Sequence, residues 1–182
     1  MKRALLVIDV QNEYFSGALP VTYPAHSLER ITQAIDAANE AAIPVVLVQH
    51  AETEGTIFRR QSAAWQLHPE IARRKHELLI EKNLPGSFTG TPLETWLRER
   101  GIDTVVVSGY MTQMCCDTTA RQASHLGFTV EFLSDATGTL EFKNSEGTVD
   151  AQNLHNTTLI VQQSGFSQVK STREWIEETR DA

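Results

Sequence analysis

Three side chains of this 182-residue chain have the types and placement for covalent chemistry: Asp9, Lys82 and Cys115. Asp9 ends one stretch that reads as a buried strand, Lys82 lies just past another, and Cys115 lies beyond a third. Taken singly, each has an ordinary explanation. Asp9 would cap a strand, Lys82 would be a solvated charge, and Cys115 would be a small buried hydrophobe. Together they supply an acid–base group, a cation and a nucleophile. A free thiol has a pKa of about 8.5, and its thiolate is the nucleophilic form. Placement at the start of a helix and a neighbouring ammonium would both favour that thiolate. An aspartate beside it would take the thiol proton and later deliver it to a leaving amine. The segment Gly109-Tyr110-Met111-Thr112-Gln113-Met114-Cys115 would present backbone N–H groups to an oxyanion.

The elements that must position these residues follow from the hydrophobic pattern. Ala4-Leu5-Leu6-Val7-Ile8 is a continuous apolar run of the kind found in strands covered on both faces. A helix pattern opens at Ser27, a suitable N-cap, with Leu28, Ile31, Ile35, Ala38 and Ala42 recurring at helical spacing. Pro44 stops it and opens a second strand, Val45-Val46-Leu47-Val48. Residues 49–74 form a long polar excursion with a short helical piece, and loops of this kind often line sites. Glu77-Leu78-Leu79-Ile80 is a third strand. Thr91-Pro92-Leu93-Glu94 combines a capping box with proline at the first helical position, and its helix closes at Gly101. Thr104-Val105-Val106-Val107-Ser108 is a fourth strand, broken by Gly109 and followed by a helix to Gly127. Phe128 to Leu133 is a fifth. Residues 150–164 favour a helix ended by Gly165, although Leu159-Ile160-Val161 alone would suit a strand. Phe166-Ser167-Gln168-Val169 reads as a short sixth strand, and Ser171-Thr172-Arg173-Glu174 is a capping box for the last helix.

Strands and helices alternate from end to end, with no linker or repeat. The expectation is a single domain over residues 1–182 of α/β class: a three-layer α/β/α, Rossmann-like fold with a parallel six-stranded sheet and helices on both faces. Ligands in such sheets bind outside the carboxyl ends of the strands, where Asp9, Lys82 and Cys115 converge.

Composition narrows the partners. Acids outnumber Lys and Arg by 23 to 16, for a net charge of −7, which gives no attraction to nucleic acid or to an anionic membrane. No apolar run approaches the ~20 residues of a membrane span. The first apolar run meets Asp9 too soon for a signal-peptide core, so a cytoplasmic location is expected. The only cysteines, Cys115 and Cys116, are adjacent, and a bridge between neighbours would be badly strained. Neighbouring side chains on a helix diverge by ~100°, so only one can face a given pocket.

At this point the motifs resemble a known family. Gly109-x-x-Thr112-x-x-Cys115, continued by Thr119-Ala120-Arg121, resembles the nucleophile motif of the isochorismatase-like cysteine hydrolases. Val7-Ile8-Asp9-Val10-Gln11 resembles that family's first strand with its catalytic aspartate. Lys82, followed by Ser87-Phe88 and Gly90-Thr91-x-Leu93, resembles its lysine segment. His155 resembles a histidine of the penultimate helix. The resemblance covers essentially the whole chain. It implies an Asp9–Lys82–Cys115 triad, attack by Cys115 on a carbonyl carbon, and hydrolysis of a thioester, most commonly from a C–N amide bond. It also implies an oxyanion hole from the N–H groups of Met111 and Cys115, with a cis bond between Tyr110 and Met111. Family members often form oligomers, so a homo-oligomer is expected.

Departures from the family pattern carry their own implications. Nicotinamidases of this group have an Asp-x-His metal motif after strand two, where this chain reads Val48-Gln49-His50-Ala51-Glu52. His50, His68 and His76 form no evident ligand set, so neither a metal nor a cofactor is expected. Cys116 stands where the family has a small aliphatic residue, which assigns it to packing. True isochorismatases lack the nucleophilic cysteine, so Cys115 favours the amidase-like branch. The substrate is expected to be a small amide, ureido or related acyl compound. Candidates for lining its pocket are Gln11, Tyr14, His50, Trp65, Phe88 and Tyr110, and the segment from Phe58 to Trp65 suggests a lid or a subunit contact. Two other readings stay open: an ether hydrolase using Asp9 with Cys115 idle, and a non-enzymatic thiol sensor.

Overall fold

The computed structural model describes residues 1–180. Its strands are β1 (Arg3–Ile8), β2 (Val45–His50), β3 (Leu78–Lys82), β4 (Thr104–Tyr110), β5 (Thr129–Gly138), β6 (Phe142–Asn144), β7 (Gly147–Val149) and β8 (Gln168–Lys170). Six of them form one sheet in the order β3-β2-β1-β4-β5-β8, parallel throughout, while β6 and β7 pair separately as an antiparallel hairpin. The helices are α1 (Ser27–Glu40), α2 (Pro69–Ala72), α3 (Leu93–Glu99), α4 (Asp117–His125), α5 (Ala151–Gly165) and α6 (Thr172–Arg180). None among the described residues is long and apolar enough to cross a membrane.

The central strand β1 shows why its sequence is apolar at every position. Ala4, Leu6 and Ile8 point to one face and pack with Leu93 and Leu97 of α3 and Ala120 and Ala123 of α4. Leu5 and Val7 point to the other and pack with Ile31 and Ile35 of α1 and Trp175 of α6. Each fully buried Leu, Ile or Val side chain contributes about 1.5–3 kcal/mol, so the two-sided central strands supply much of the hydrophobic stabilisation. The family-like α/β/α sandwich expected from the alternation is the one observed.

Several local expectations need correction. Gly109 does not end β4. Its φ of +110° kinks the strand, the pairing with β5 shifts register between Val107 and Gly109, and the ladder resumes at Gly109–Thr137 and Tyr110–Gly138. β5 therefore runs to Gly138 instead of stopping at Leu133, and the small β6–β7 hairpin was not foreseen. The box at Thr91 does not close. Thr91 Oγ1 accepts from Leu93 N at 3.3 Å, but Glu94 turns to Arg98. The box at Ser171 does close, with Ser171 N donating to Glu174 Oε2 at 2.8 Å and Glu174 N to Ser171 Oγ at 3.2 Å. Ser27 opens α1, yet its hydroxyl bonds Tyr110 Oη at 2.9 Å instead of capping the helix. Leu159-Ile160-Val161 is helical, within α5.

The kink at Gly109 brings β4 against the end of β1, where Asp9 leaves the sheet. A Cβ on Gly109 would stand 2.0 Å from the Ile8 carbonyl oxygen, and the residue's φ already lies where side chains are disfavoured. Gly127, at φ +85°, has open space around it. Gly127→Ala should therefore cost only about 1–2 kcal/mol, the ordinary left-handed penalty. Gly109→Ala should cost clearly more, or prevent folding. Urea unfolding of the two variants measures the difference, and equal losses would refute the close approach.

Candidate active site

Three strand ends meet here. Asp9 follows β1 directly with a positive φ of 53°, a turn that aims its carboxylate across the sheet's carboxyl edge. Lys82 is the last residue of β3, paired in register with His50 at the end of β2. Cys115 lies in a turn of π-helix, Thr112–Cys116, between β4 and α4. Because β2 lies between β1 and β3, the Lys82 side chain reaches past His50 to Asp9.

The contacts centre on the Lys82 ammonium. Its Nζ lies 2.7 Å from Asp9 Oδ2, 3.1 Å from His50 Nδ1 and 3.2 Å from Cys115 Sγ. An ammonium has hydrogens to donate and no acceptor, so it pairs with Asp9 by charge and donates to His50 and Cys115. His50 must then offer a lone pair at Nδ1 and carry its proton on Nε2, which donates to Glu52 Oε1 at 2.8 Å. Asp9, Lys82 and Cys115 are all buried. Burial disfavours the Lys82 charge, but the anionic Asp9, followed by Cys115, more than offsets this and raises the lysine's pKa.

The thiol departs from the sequence expectation. Burial first, and the charge of Asp9 second, push the Cys115 pKa up, and the opposing effect of Lys82 is smaller. The turn before α4 does not overcome that desolvation, so the resting group is a neutral thiol beside a carboxylate–ammonium pair. The ligand atoms of Asp9, His50 and Cys115 lie within 4.8 Å of one another, and Asp9 and the thiol share the Lys82 ammonium. The same three residues have the donor set of a metal site, but the Lys82 ammonium already sits among them at bonding distance. A divalent cation there would face that charge, and the group does not fit one.

Cys116 is fully buried against the far side of the turn, among Val105, Val107 and Ala120 of the core. The Tyr110–Met111 peptide is cis, as the motif resemblance implied. The Met111 carbonyl accepts from Met114 N at 3.0 Å and Cys116 N at 3.2 Å, which shapes the turn. Thr112 donates its hydroxyl to His155 Nδ1 at 2.8 Å, and His155 Nε2 donates to the Ser134 carbonyl at 3.0 Å. Burial lowers the His155 pKa to about 4 against the smaller opposing effect of that carbonyl, so a neutral imidazole ties α5 to the turn.

A cavity of about 280 Å³ opens over Cys115. Its walls are mainly apolar: Tyr14, Leu19, Phe58, Pro85, Met111 and Met114, with His50, Glu52 and Asn83 as the polar members. Of the pocket candidates, Tyr14 and His50 are therefore at the cavity, and four are elsewhere. Gln11 is a clasp: its Nε2 donates to the carbonyls of His50 at 2.9 Å and Trp65 at 2.7 Å, and its Oε1 accepts from His50 N at 2.8 Å. Trp65 contributes the carbonyl that this clasp holds. Phe88 stacks on Phe128 at 6.0 Å beside the core of the α3–α4 face. Tyr110 lies behind Tyr14, ring to ring at 5.4 Å, with its hydroxyl bonded to Ser27. Leu19, Glu52, Phe58, Asn83, Pro85 and Met114 were missed. For Glu52 a signal existed, since two residues on from His50 is the same side of an extended chain. Phe58 forms pocket wall, 5.3 Å from Tyr14 and 5.2 Å from His50, so the segment expected as lid or contact reaches the site.

Residues 3–163 match the isochorismatase domain. The protein belongs to the isochorismatase family. It is similar to a candidate isochorismatase from Burkholderia xenovorans LB400 of known crystal structure, with 46% identity, 99% of this chain and 88% of that one covered, and a TM-score of 0.97. A cysteine hydrolase from Pseudomonas syringae pv. phaseolicola 1448A superposes with a TM-score of 0.91 at 26% identity, over 99% of this chain and 93% of that one. Nicotinamidase 3 of Arabidopsis thaliana is 31% identical over 178 residues, 90% of this chain and 82% of the relative. This isochorismatase-family chain is accordingly a hydrolase.

The buried pair in this family member makes a stability prediction. Removing one partner of a buried ion pair leaves an unpaired charge and costs about 3–5 kcal/mol. Lys82→Met should lose that much, and adding Asp9→Asn should recover part of it, since asparagine tolerates the left-handed backbone at this position. Urea melts of the four proteins form a double-mutant cycle. Additive losses would show that the pair is not coupled.

Proposed function

We propose that the protein is a cysteine amidohydrolase that cleaves a small amide, ureido or related C–N acyl compound. The observation that carries this reading is the single Lys82 ammonium shared by the Asp9 carboxylate and the Cys115 thiol at the floor of a cavity. In this mechanism the substrate carbonyl seats over Cys115. Asp9 takes the thiol proton as Sγ attacks the carbonyl carbon, so the thiolate forms only as its charge passes into the new C–S bond. The raised thiol pKa favours such a coupled transfer over a standing thiolate. The negative charge moves to the carbonyl oxygen, which accepts from the backbone N–H groups of Met111 and Cys115. Asp9, now a carboxylic acid, returns the proton to the departing amine as the C–N bond breaks and a thioester remains. Water then attacks the thioester, giving its proton to Asp9, and the tetrahedral adduct collapses to a carboxylic acid and a free Cys115 thiol. Lys82 stays charged throughout and keeps Asp9 and Cys115 aligned.

The likeness to a plant nicotinamidase and to a cysteine hydrolase supports the same reaction class. A redox sensor is a poorer match, because oxidation selects low-pKa, accessible thiols and Cys115 is 7% exposed with its pKa pushed up. The two cysteines give the test. Cys115→Ala should lower kcat by roughly four orders of magnitude or more against a panel of carbamoyl, ureido and aryl amides, as loss of a nucleophile does elsewhere. Cys116→Val, a buried swap of similar volume, should stay within about tenfold of the parent. Intact-mass analysis of quenched reactions should find the acyl adduct on Cys116→Val and not on Cys115→Ala. The reverse pattern, or full activity in Cys115→Ala, would overturn the reading.

A further inference from the structure

Beside the cavity over Cys115 lies a second one of about 270 Å³, and the two have different chemistry. The second is polar, lined by Thr53, Arg60, Glu81 and Asn83 among others, and it shares Glu52 and Asn83 with the first. Glu52 thus stands on the ridge between an apolar lobe and a polar one, lining the same cavity as Cys115.

The charges along this ridge are unevenly spent. The Arg60 guanidinium is 2.7 Å from the Glu81 carboxylate, and the Lys82 ammonium is committed to Asp9. Glu52 has His50 Nε2 on one oxygen, and among the described residues no Lys or Arg side-chain cation lies within 4 Å of its carboxylate. Its side chain is 43% exposed and lines both lobes, and no second partner holds its carboxylate among the described residues. An anionic substrate would give up hydration against apolar walls and meet this carboxylate, while the one guanidinium lining the two lobes, that of Arg60, is held by Glu81. A cationic substrate would be met.

We infer that the site takes amides with an apolar end and a cationic end, and that Glu52 is the specificity-determining residue that receives the cation. This deepens the amidohydrolase reading and takes its placement of the scissile carbonyl over Cys115. The neutral His50 imidazole serves both groups, holding Lys82 by Nδ1 and Glu52 by Nε2, so substrate charge is read one residue away from the triad.

Binding to Cys115→Ala, which leaves the pocket but not the nucleophile, separates recognition from turnover. Calorimetry would compare para-(aminomethyl)benzamide, para-(hydroxymethyl)benzamide and para-carbamoylbenzoate, three probes of one shape and different charge. The cation should bind about tenfold or more tighter than the anion at low salt, with the neutral probe between, as expected for attraction and repulsion at one partly exposed carboxylate. Adding Glu52→Gln, whose amide oxygen still accepts from His50, should shrink the ratio to about threefold or less. Equal or tighter binding of the anion, no binding of the cation, or a ratio unchanged by Glu52→Gln would each overturn the inference. If the charge preference holds while wild-type protein hydrolyses none of the probes, the amidohydrolase reading falls and the inference about Glu52 stands.

Discussion

The fold gathers three partners around the buried Lys82 ammonium: Asp9 from the end of β1 as its counter-ion, His50 from the end of β2 and Cys115 from the turn after β4 as its hydrogen-bond acceptors. Burying a charge so deep is costly unless it is paired and its hydrogens are satisfied. The other parts of the site follow from meeting that condition. The parallel order β3-β2-β1-β4 brings the three partners to one edge, the positive φ of Asp9 turns its carboxylate across the sheet, and the kink at Gly109 packs β4 close enough to deliver the turn that holds the thiol. Glu52 completes the set by fixing the His50 tautomer that can accept from lysine.

The same interaction decides the state of the nucleophile. A lysine alone beside Cys115 would draw out the thiolate, but this lysine faces a carboxylate as well, and both lie out of water. Desolvation and Asp9 together outweigh it. In the proposed reaction the proton stays on sulfur until a substrate carbonyl is present to receive the electrons, and Asp9 is the base that takes it. On the same proposal, selectivity is left to the walls, where apolar rings and the open side of Glu52 would meet the substrate.

Much of this was legible in the sequence, and the reasons are particular. The five-residue apolar run before Asp9 announced a strand covered on both faces, and strand–helix alternation placed its end with those of β3 and β4. The family motifs around Lys82 and Cys115 added the pairing of the residues. The kink at Gly109 was not legible, because a glycine that bends a strand and one that ends it look alike until the partner strand is known. The pocket was only half legible. Aromatic type reveals neither the side of the sheet nor the depth at which a ring lies, so Phe88, on the other face, and Tyr110, behind Tyr14, read the same as Tyr14. Leu19, Phe58 and Asn83 lie in loops whose course depends on distant contacts such as the Gln11 clasp on Trp65. The direction of the Cys115 shift was misjudged because spacing identifies neighbours and not the depth of burial.

The central claim is that burial and the Asp9 carboxylate, outweighing Lys82, keep the resting Cys115 thiol protonated. Ultraviolet titration of thiolate absorbance tests it most directly, run on Cys116→Val with Cys115→Ala as the blank, so that only Cys115 is observed. The thiolate should remain absent through and above pH of about 8.5, the ordinary thiol value. In the Asp9→Asn background it should emerge at lower pH, because a negative neighbour is removed while Lys82 stays. A thiolate already formed near neutral pH, or a titration that moves upward when Asp9 is neutralised, would contradict the account.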